Sequence, residues 1–230
     1  MTITYHREMI QGSDEWLQAR LGLLTASEFK LILTPTLKIA NNEKLRAHVW
    51  ELAAQRISNF VEPTYIGDDM LRGMDDEIIA RDLYAKHYAP VEEVGFVTND
   101  KWGFTLGCSP DGLVGTDGGI EAKSRRQKFQ IQTIVENYRD GGIPDDFILQ
   151  VQGEMLVCER KWWDFISYSG GLHMAVIRVH PMPEIQNAIV EAAGEFEKNV
   201  MNAMADYFEA IEAMKTKIPT ERREETEMFV

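Results

Sequence analysis

The sequence predicts an α/β fold with a central mixed sheet flanked by helices. Three observations carry this. Residues 42–60 and the stretch from about 68 to 87 repeat apolar side chains at helical spacing. The middle of the chain then switches to short segments punctuated by Gly, Asn and Asp, the pattern of strands and turns. From about Pro183 to Lys215 helical spacing returns. Helices before and after a strand-rich middle suggest one domain over residues 1–230, with a mobile charged tail from about 219. Of the 230 residues, 44% are hydrophobic, enough for a core and too many for a disordered chain.

The first helix falls in GSDEWLQARLG, where Ser13 suits an N-cap and Gly22 a C-terminal stop. In TASEFKLIL, Thr25 and Glu28 have capping-box spacing, and the helix they open ends before Pro35. Leu45, Val49, Leu52, Ala53 and Ile57 mark the next helix. Asp68 or Asp69 begins another, with Leu71, Met74, Ile78 and Leu83 on one face. EEVGFVTN, WGFTLGCSP, DGLVG and GIEAKS read as short strands. Residues 126–140 are helical, GGIP breaks the chain, and Pro144 suits the first turn of a helix carrying Ile148, Leu149, Val151, Gln152, Met155 and Leu156. WWDFISYS and MAVIRVH are the last two strands.

Composition excludes several classes. No run of about 18 apolar residues exists, so no transmembrane helix is expected. The opening residues lack an apolar signal core, so secretion is not expected. Cys108 and Cys158 lack metal-ligand spacing and read as reduced thiols. The formal net charge of -13 argues against tight non-specific DNA binding by the outer surface. It is uneven, however: residues 183–230 carry a net of -6, and a local channel elsewhere can still be positive.

The segment CSPDGLVGTDGGIEAKS concentrates Asp111, Glu121 and Lys123. On a strand, Glu121 and Lys123 share one face while Ile120 and Ala122 share the other. A hairpin from Leu113 back to Ile120 brings Asp111 beside Glu121. Two adjacent carboxylates repel unless a cation sits between them, and oxygen ligands favour Mg²⁺ or Mn²⁺. Such an ion could polarise a phosphodiester and activate water, with Lys123 orienting the water or stabilising developing charge. The alternative is a solvated hairpin, since PDG and TDGG are ordinary turn sequences and Asp117 reads as a pure turn residue.

The order helix, hairpin, Glu-x-Lys strand, helix resembles the core of the PD-(D/E)xK nucleases, with Pro110-Asp111 and Glu121-Ala122-Lys123 as the motif. Beyond it, QGSDEWLQARLGLLTASEF, LRGMDDEIIA, GCSPDGLV and LQVQGEMLV resemble blocks of the phage lambda-type exonucleases, the YqaJ-type viral recombinases, in the same order over residues 11–157. The resemblance implies Mg²⁺ (Mn²⁺ as a substitute) on Asp111, Glu121 and the Ala122 carbonyl, with Lys123, Glu77 and Gln152 completing the catalytic site. It implies a 5′-phosphate pocket built from Arg20, Ser27 and Ser109. The N–H groups of the helix opened by Thr25 suit the same role. A further phosphate-binding arginine is expected after the strand, where SRRQKF offers Arg125, Arg126 and Lys128; Arg126 is nominated. Trp16 reads as a hydrophobic anchor.

The implied activity is Mg²⁺-dependent 5′→3′ exonuclease action on linear duplex DNA, releasing 5′-mononucleotides and leaving a 3′ single strand. The implied setting is a homotrimeric ring in the cytoplasm of a bacterial host, phage or prophage encoded, with a single-strand annealing protein as partner. Two other classes stand beside it: a restriction-type endonuclease of the same superfamily, and a non-catalytic DNA-binding module of the same fold.

Overall fold

The computed structural model describes residues 2–63 and 67–222. Residues 223–230 of the expected charged tail lie outside the described residues. Two four-stranded mixed sheets stand where one central sheet was expected. The first is built from β1 (Ile3–His6), β2 (Leu24–Thr25), β3 (Phe96–Asn99) and β4 (Leu106–Cys108), in the order β1-β3-β4-β2. The second runs in chain order: β5 (Gly112–Val114), β6 (Gly118–Ser124), β7 (Trp162–Tyr168) and β8 (Ala175–Val179). Strands β1 and β2 were not expected. They are too short for period-2 alternation to stand out, and pairing with β3 and β4 makes them strands.

One core joins the sheets. Leu24, Val97 and Leu106 from the first and Trp163, Phe165 and Ile177 from the second belong to a single buried apolar cluster. Helix α6 (Asp145–Cys158) packs against both sheets and against α7 (Pro183–Glu212). Gly153 allows α6 its close approach to Phe29 of α2 (Phe29–Ile32): a Cβ there would stand 2.3 Å from Cε2 of that ring. Cys108 and Cys158, far apart in sequence, meet in this core with free thiols 3.4 Å apart.

Strand β6 is the central positioning element. It pairs antiparallel with β5 and parallel with β7, from Gly118↔Trp162 to Ser124↔Tyr168. Gly118 and Gly119, read from sequence as turn residues, lie in the strand beneath Trp162 and Trp163, where a Cβ would stand 2.0 and 2.3 Å from the indoles. The turn between β5 and β6 is clamped by Arg160, whose Nη1 donates to the carbonyls of Gly115 (2.9 Å) and Gly118 (2.7 Å).

Helices α1 (Asp14–Arg20) and α3 (Glu43–Ser58) fall where expected, capped by the side chains of Ser13 and Asn42. The helix opened by Thr25 is shorter than expected, one 3₁₀ turn (Ala26–Glu28) before α2. The expected capping box is formed: the Thr25 N–H and hydroxyl both donate to the Glu28 carboxylate, each at 2.8 Å. The expected helix over 126–140 is α5 (Gln127–Gln132) followed by a π turn (Thr133–Asn137) and a 3₁₀ turn (Tyr138–Asp140).

Helix α4 (Asp68–His87) forms where the sequence places it, and the structure decides which of its faces is buried. The apolar side chains Leu71, Met74 and Ile78 face outward, about half exposed, and Leu83 is only partly buried. The buried face carries Ala80 and Tyr84 instead, packed with Ile120 and Ala122 of β6. Polar ties decide this orientation. Tyr84 donates its hydroxyl to Asp164 Oδ2 at 2.6 Å, and Arg178 grips the same carboxylate with two bonds of 2.8 Å. Turning the helix over would leave the buried Asp164 carboxylate without the Tyr84 hydroxyl, at a cost of about 1–3 kcal/mol.

Adding a methyl group at Gly153 should force α6 off Phe29. Gly153→Ala is expected to lose about 1–3 kcal/mol of stability in urea denaturation, despite the roughly 1 kcal/mol that alanine ordinarily gains over glycine within a helix. A gain in stability would show that the contact yields easily.

Candidate active site

Strand alternation holds in β6: Ile120 and Ala122 face the small cluster under α4, while Glu121 and Lys123 share the opposite face. Strand β5 pairs no further than Gly112↔Ile120, so the Ala122 N–H lacks a strand partner. Asp111 supplies one, accepting it on Oδ2 at 2.5 Å. The N–H and C=O of one strand residue leave the same edge, so the Ala122 carbonyl also points toward Asp111. Glu121 is 1% exposed and pairs with the Lys123 ammonium. Glu77 comes from α4, which is tied to this edge on both sides. Ser124 donates to Asp76 Oδ2 at 2.5 Å, and Arg81 to the Asp111 carbonyl at 3.4 Å.

Helix α6 contributes two further residues, and not the expected one. Gln152 is fully buried on the far side of the helix. Its amide donates to the His180 carbonyl (2.9 Å) and accepts from the Met182 N–H (2.7 Å), pinning the loop before α7. Two residues earlier, about 200° around the helix, Gln150 donates to Glu121 Oε1 at 2.5 Å and to Glu154 Oε1 at 3.0 Å. Gln152 is therefore structural, and Gln150 with Glu154 faces the site. A Gln and a Glu four residues apart, on one helix face of a largely apolar segment, was the signal available in the sequence.

Asp111, Glu121 and Glu154 thus crowd around one ammonium. Burial, reinforced by Glu121 and Glu77 and opposed by Lys123, pushes Asp111 well above the ordinary carboxylate range. Burial and then Glu121 do the same for Glu154. Burial alone would lower Lys123, but Glu121 and Asp111 outweigh it and keep the ammonium charged above the usual lysine range. Among the described residues no three His, Cys, Asp or Glu side chains are already gathered as a coordination shell. The donor chemistry nevertheless suits a hard cation: Glu121 Oε2 and Glu154 Oε2 are buried and take no hydrogen bond. Turning Asp111 from the Ala122 N–H would add a third oxygen.

The expected anion pocket also comes together, in part. Arg20 donates to Ser109 Oγ (3.2 Å) and Thr25 Oγ1 (3.1 Å), and Ser27 Oγ lies 3.3 Å from Thr25 Oγ1. Trp16 is more than an anchor: its indole N–H donates to Ser109 Oγ at 2.9 Å and its ring lies 4.3 Å from the Arg20 guanidinium. Burial lowers the Arg20 pKa, against the pull of Glu28, without removing its charge. A cavity of about 200 Å³ is lined by Ser27 of this group and by Lys123 and Gln150 beside the carboxylates, with Lys30 and Phe147. Arg126 does not join it. It is exposed and paired with Asp69 Oδ2 at 2.8 Å.

The architecture is a nuclease-type α/β fold. The chain matches the alkaline exonuclease LHK-Exo of Laribacter hongkongensis at 28% identity, over 86% of this chain and 100% of that one, with a TM-score of 0.70. The structure of that protein in complex with dAMP matches over the same shares with a TM-score of 0.71. A phage related exonuclease of Haemophilus somnus 129PT shares the fold at 10% identity and a TM-score of 0.58, over 80% of this chain and 96% of that one. The YqaJ-like viral recombinase domain matches residues 15–161, and the chain belongs to that family. No curated protein matches it in sequence. No helix among the described residues is long and apolar enough to cross a membrane.

The raised carboxylates bind protons more tightly in the folded than in the unfolded state. The stability they contribute is present below about pH 4 and is lost as pH rises through their raised values. Glu154→Gln removes one of them. Without divalent cations it should raise stability by about 1–3 kcal/mol near pH 8 and have little effect near pH 5. Thermal melts at the two pH values test this; an equal effect at both would contradict the buried-charge account.

Proposed function

We propose that this chain is a Mg²⁺-dependent exonuclease that degrades linear duplex DNA in the 5′→3′ direction, releasing 5′-mononucleotides. One observation supports the reading above the others. Ser27, grouped with Arg20 and Ser109 around Thr25 and the Arg20 guanidinium, lines the same cavity as Lys123 and Gln150 of the carboxylate–lysine cluster. A terminal 5′-phosphate on the Arg20 group places the next phosphodiester near that cluster. An endonuclease has no use for such a pocket.

Asp111, Glu121 and the Ala122 carbonyl would hold Mg²⁺, which when bound polarises the scissile phosphate and acidifies a water. The chain's own residues do the rest. Lys123, kept as an ammonium, donates to the attacking water or to a phosphate oxygen and offsets the negative charge that develops there. Gln150 holds Glu121 and Glu154 in position. Glu77 adds a carboxylate on the α4 side of Asp111. Arg20 presents two donors to a terminal phosphate, and its place on the Trp16 ring fixes the direction of the fork.

A 3′ single strand left by this reaction suits a single-strand annealing protein, and we place the activity in phage recombination in a bacterial cytoplasm. A ring of three copies reconciles a net charge of -13 with DNA binding, because the outside can be acidic while the channel is locally basic.

The parent protein should degrade linear duplex and spare closed circles, and should act faster on 5′-phosphate than on 5′-hydroxyl ends. Arg20→Ala should shrink that difference roughly tenfold or more. Cutting of closed circles, or equal rates on both ends, would rule out the exonuclease reading. Lys123→Ala should slow cleavage by about 10²–10³-fold while duplex binding in Ca²⁺ stays largely intact. A near-normal cleavage rate in that variant would remove Lys123 from the mechanism.

A further inference from the structure

His48 is a buried titratable side chain that the reaction above does not use. It sits on α3 with 4% of its side chain exposed, and its ring stacks on Phe196 of α7 at 5.3 Å. A carboxylate faces each ring nitrogen. Nδ1 lies 3.0 Å from Glu51 Oε2, one turn on in α3, and Nε2 lies 3.7 Å from Glu28 Oε2 in the 3₁₀ turn. Nε2 is buried and makes no hydrogen bond. A neutral ring carries a single N–H and turns a lone pair to one of these carboxylates, whereas an imidazolium presents an N–H to both. Burial alone would lower the imidazole, but Glu28 and then Glu51 outweigh it and hold it above the usual histidine range. The other charges on the packed elements are held elsewhere. Lys44, one turn back on α3, is exposed, and Glu197, next to Phe196, is gripped by Arg56 at 2.6 and 2.7 Å.

The same Glu28 carboxylate reaches the anion pocket. Its Oε2 accepts from the Thr25 hydroxyl, so the single Thr25 hydroxyl proton points away from Arg20. Thr25 Oγ1 therefore meets the pocket as an acceptor, taking Arg20 Nη2 at 3.1 Å with Ser27 Oγ 3.3 Å away. That fixes one arm of the Arg20 fork, and Ser109 fixes the other. Glu28 also brings a negative charge close to the guanidinium and acts on it directly. Arg20 and Glu28 together leave no surplus charge for an anion. An imidazolium at His48 restores one positive charge, while Glu51, 60% exposed, is screened by water. We propose that His48 sets the affinity of the Arg20, Ser27 and Ser109 group for a terminal phosphate, cancelling Glu28 when charged and leaving it unopposed when neutral. This rests on the exonuclease reading for the identity of the anion. His48 touches no substrate; it is a positioning residue that acts through Glu28 and Thr25. The preference for a phosphate is full while the imidazole is protonated and falls as pH rises through its raised value.

The test measures equilibrium binding, in Ca²⁺, of two duplexes that differ only in carrying a 5′-phosphate or a 5′-hydroxyl. The ratio of the two affinities is taken at about pH 7 and about pH 9, a window in which the terminal phosphate, with a second pKa of about 6, stays largely doubly charged. Asp111 and Glu154 act on both duplexes alike and cancel in the ratio. The parent's preference for the 5′-phosphate should fall roughly three- to tenfold across this window. His48→Gln should show the lower preference at both pH values and lose the pH dependence. Glu28→Gln should keep the higher preference at both, because nothing then opposes Arg20. A parent ratio that is flat with pH, or a His48→Gln protein that keeps the parent's pH dependence, overturns the role of His48. If His48→Gln melts too early to assay, Glu28→Gln decides: a preference that still falls with pH in that variant overturns the proposal. A parent with no preference at either pH overturns the 5′-phosphate pocket itself, and this inference with it.

Discussion

The candidate site depends on a single substitution of bonding partner at the end of a hairpin. By the register of β5 and β6, Pro110 stands where the next partner of Ala122 would be. Its carbonyl is taken by the Gln11 side chain at 2.9 Å, and the Ala122 N–H turns to Asp111 Oδ2. A carboxylate is thereby drawn to the edge of a buried strand, beside Glu121. Everything else follows from placing two carboxyl groups side by side where water cannot screen them. Lys123 must stay charged, Gln150 must share its amide between two carboxylates, and a cation becomes a favourable addition.

Much of this was legible in the sequence because β6 obeys period 2. The pairing of Glu121 with Lys123, the separation of Ile120 and Ala122, and the return of Asp111 all follow from alternation and a short turn. The Arg20, Ser27 and Ser109 grouping was legible through the resemblance of its block. The failures share a cause. Gln152 and Gln150 both sit in an apolar helix, and deciding which faces the carboxylates requires knowing where β6 lies relative to α6. Arg125 and Arg126 are neighbours, and only the structure shows that Arg126 is paired with Asp69 while Arg125 lies against Phe129 and Phe147. Helical periodicity in α4 identified a face but assigned no direction to it, because Tyr84 and its bond to Asp164 lie outside the apolar pattern.

Helix α6 carries two separate tasks on opposite sides. Gln150 and Glu154 act toward β6, while Gln152 ties down the approach to α7 through backbone groups that would otherwise be unpaired. Gly153 lies between them and sets how close the whole helix comes to α2. The position of the polar pair is therefore governed by core packing rather than by contacts within the site.

The β5–β6 hairpin is held at both ends, by Arg160 on its turn and by Asp111 on Ala122. Held this way, its backbone has little room to adapt when an ion or substrate arrives. Adjustment falls to side-chain torsions: Asp111 rotating off an N–H, Lys123 swinging from Glu121, Gln150 releasing one oxygen. Such rotations are fast compared with loop or domain motion. Under the proposed metal-dependent reading, a cation would then be taken up by side-chain rotation with the hairpin backbone held in place.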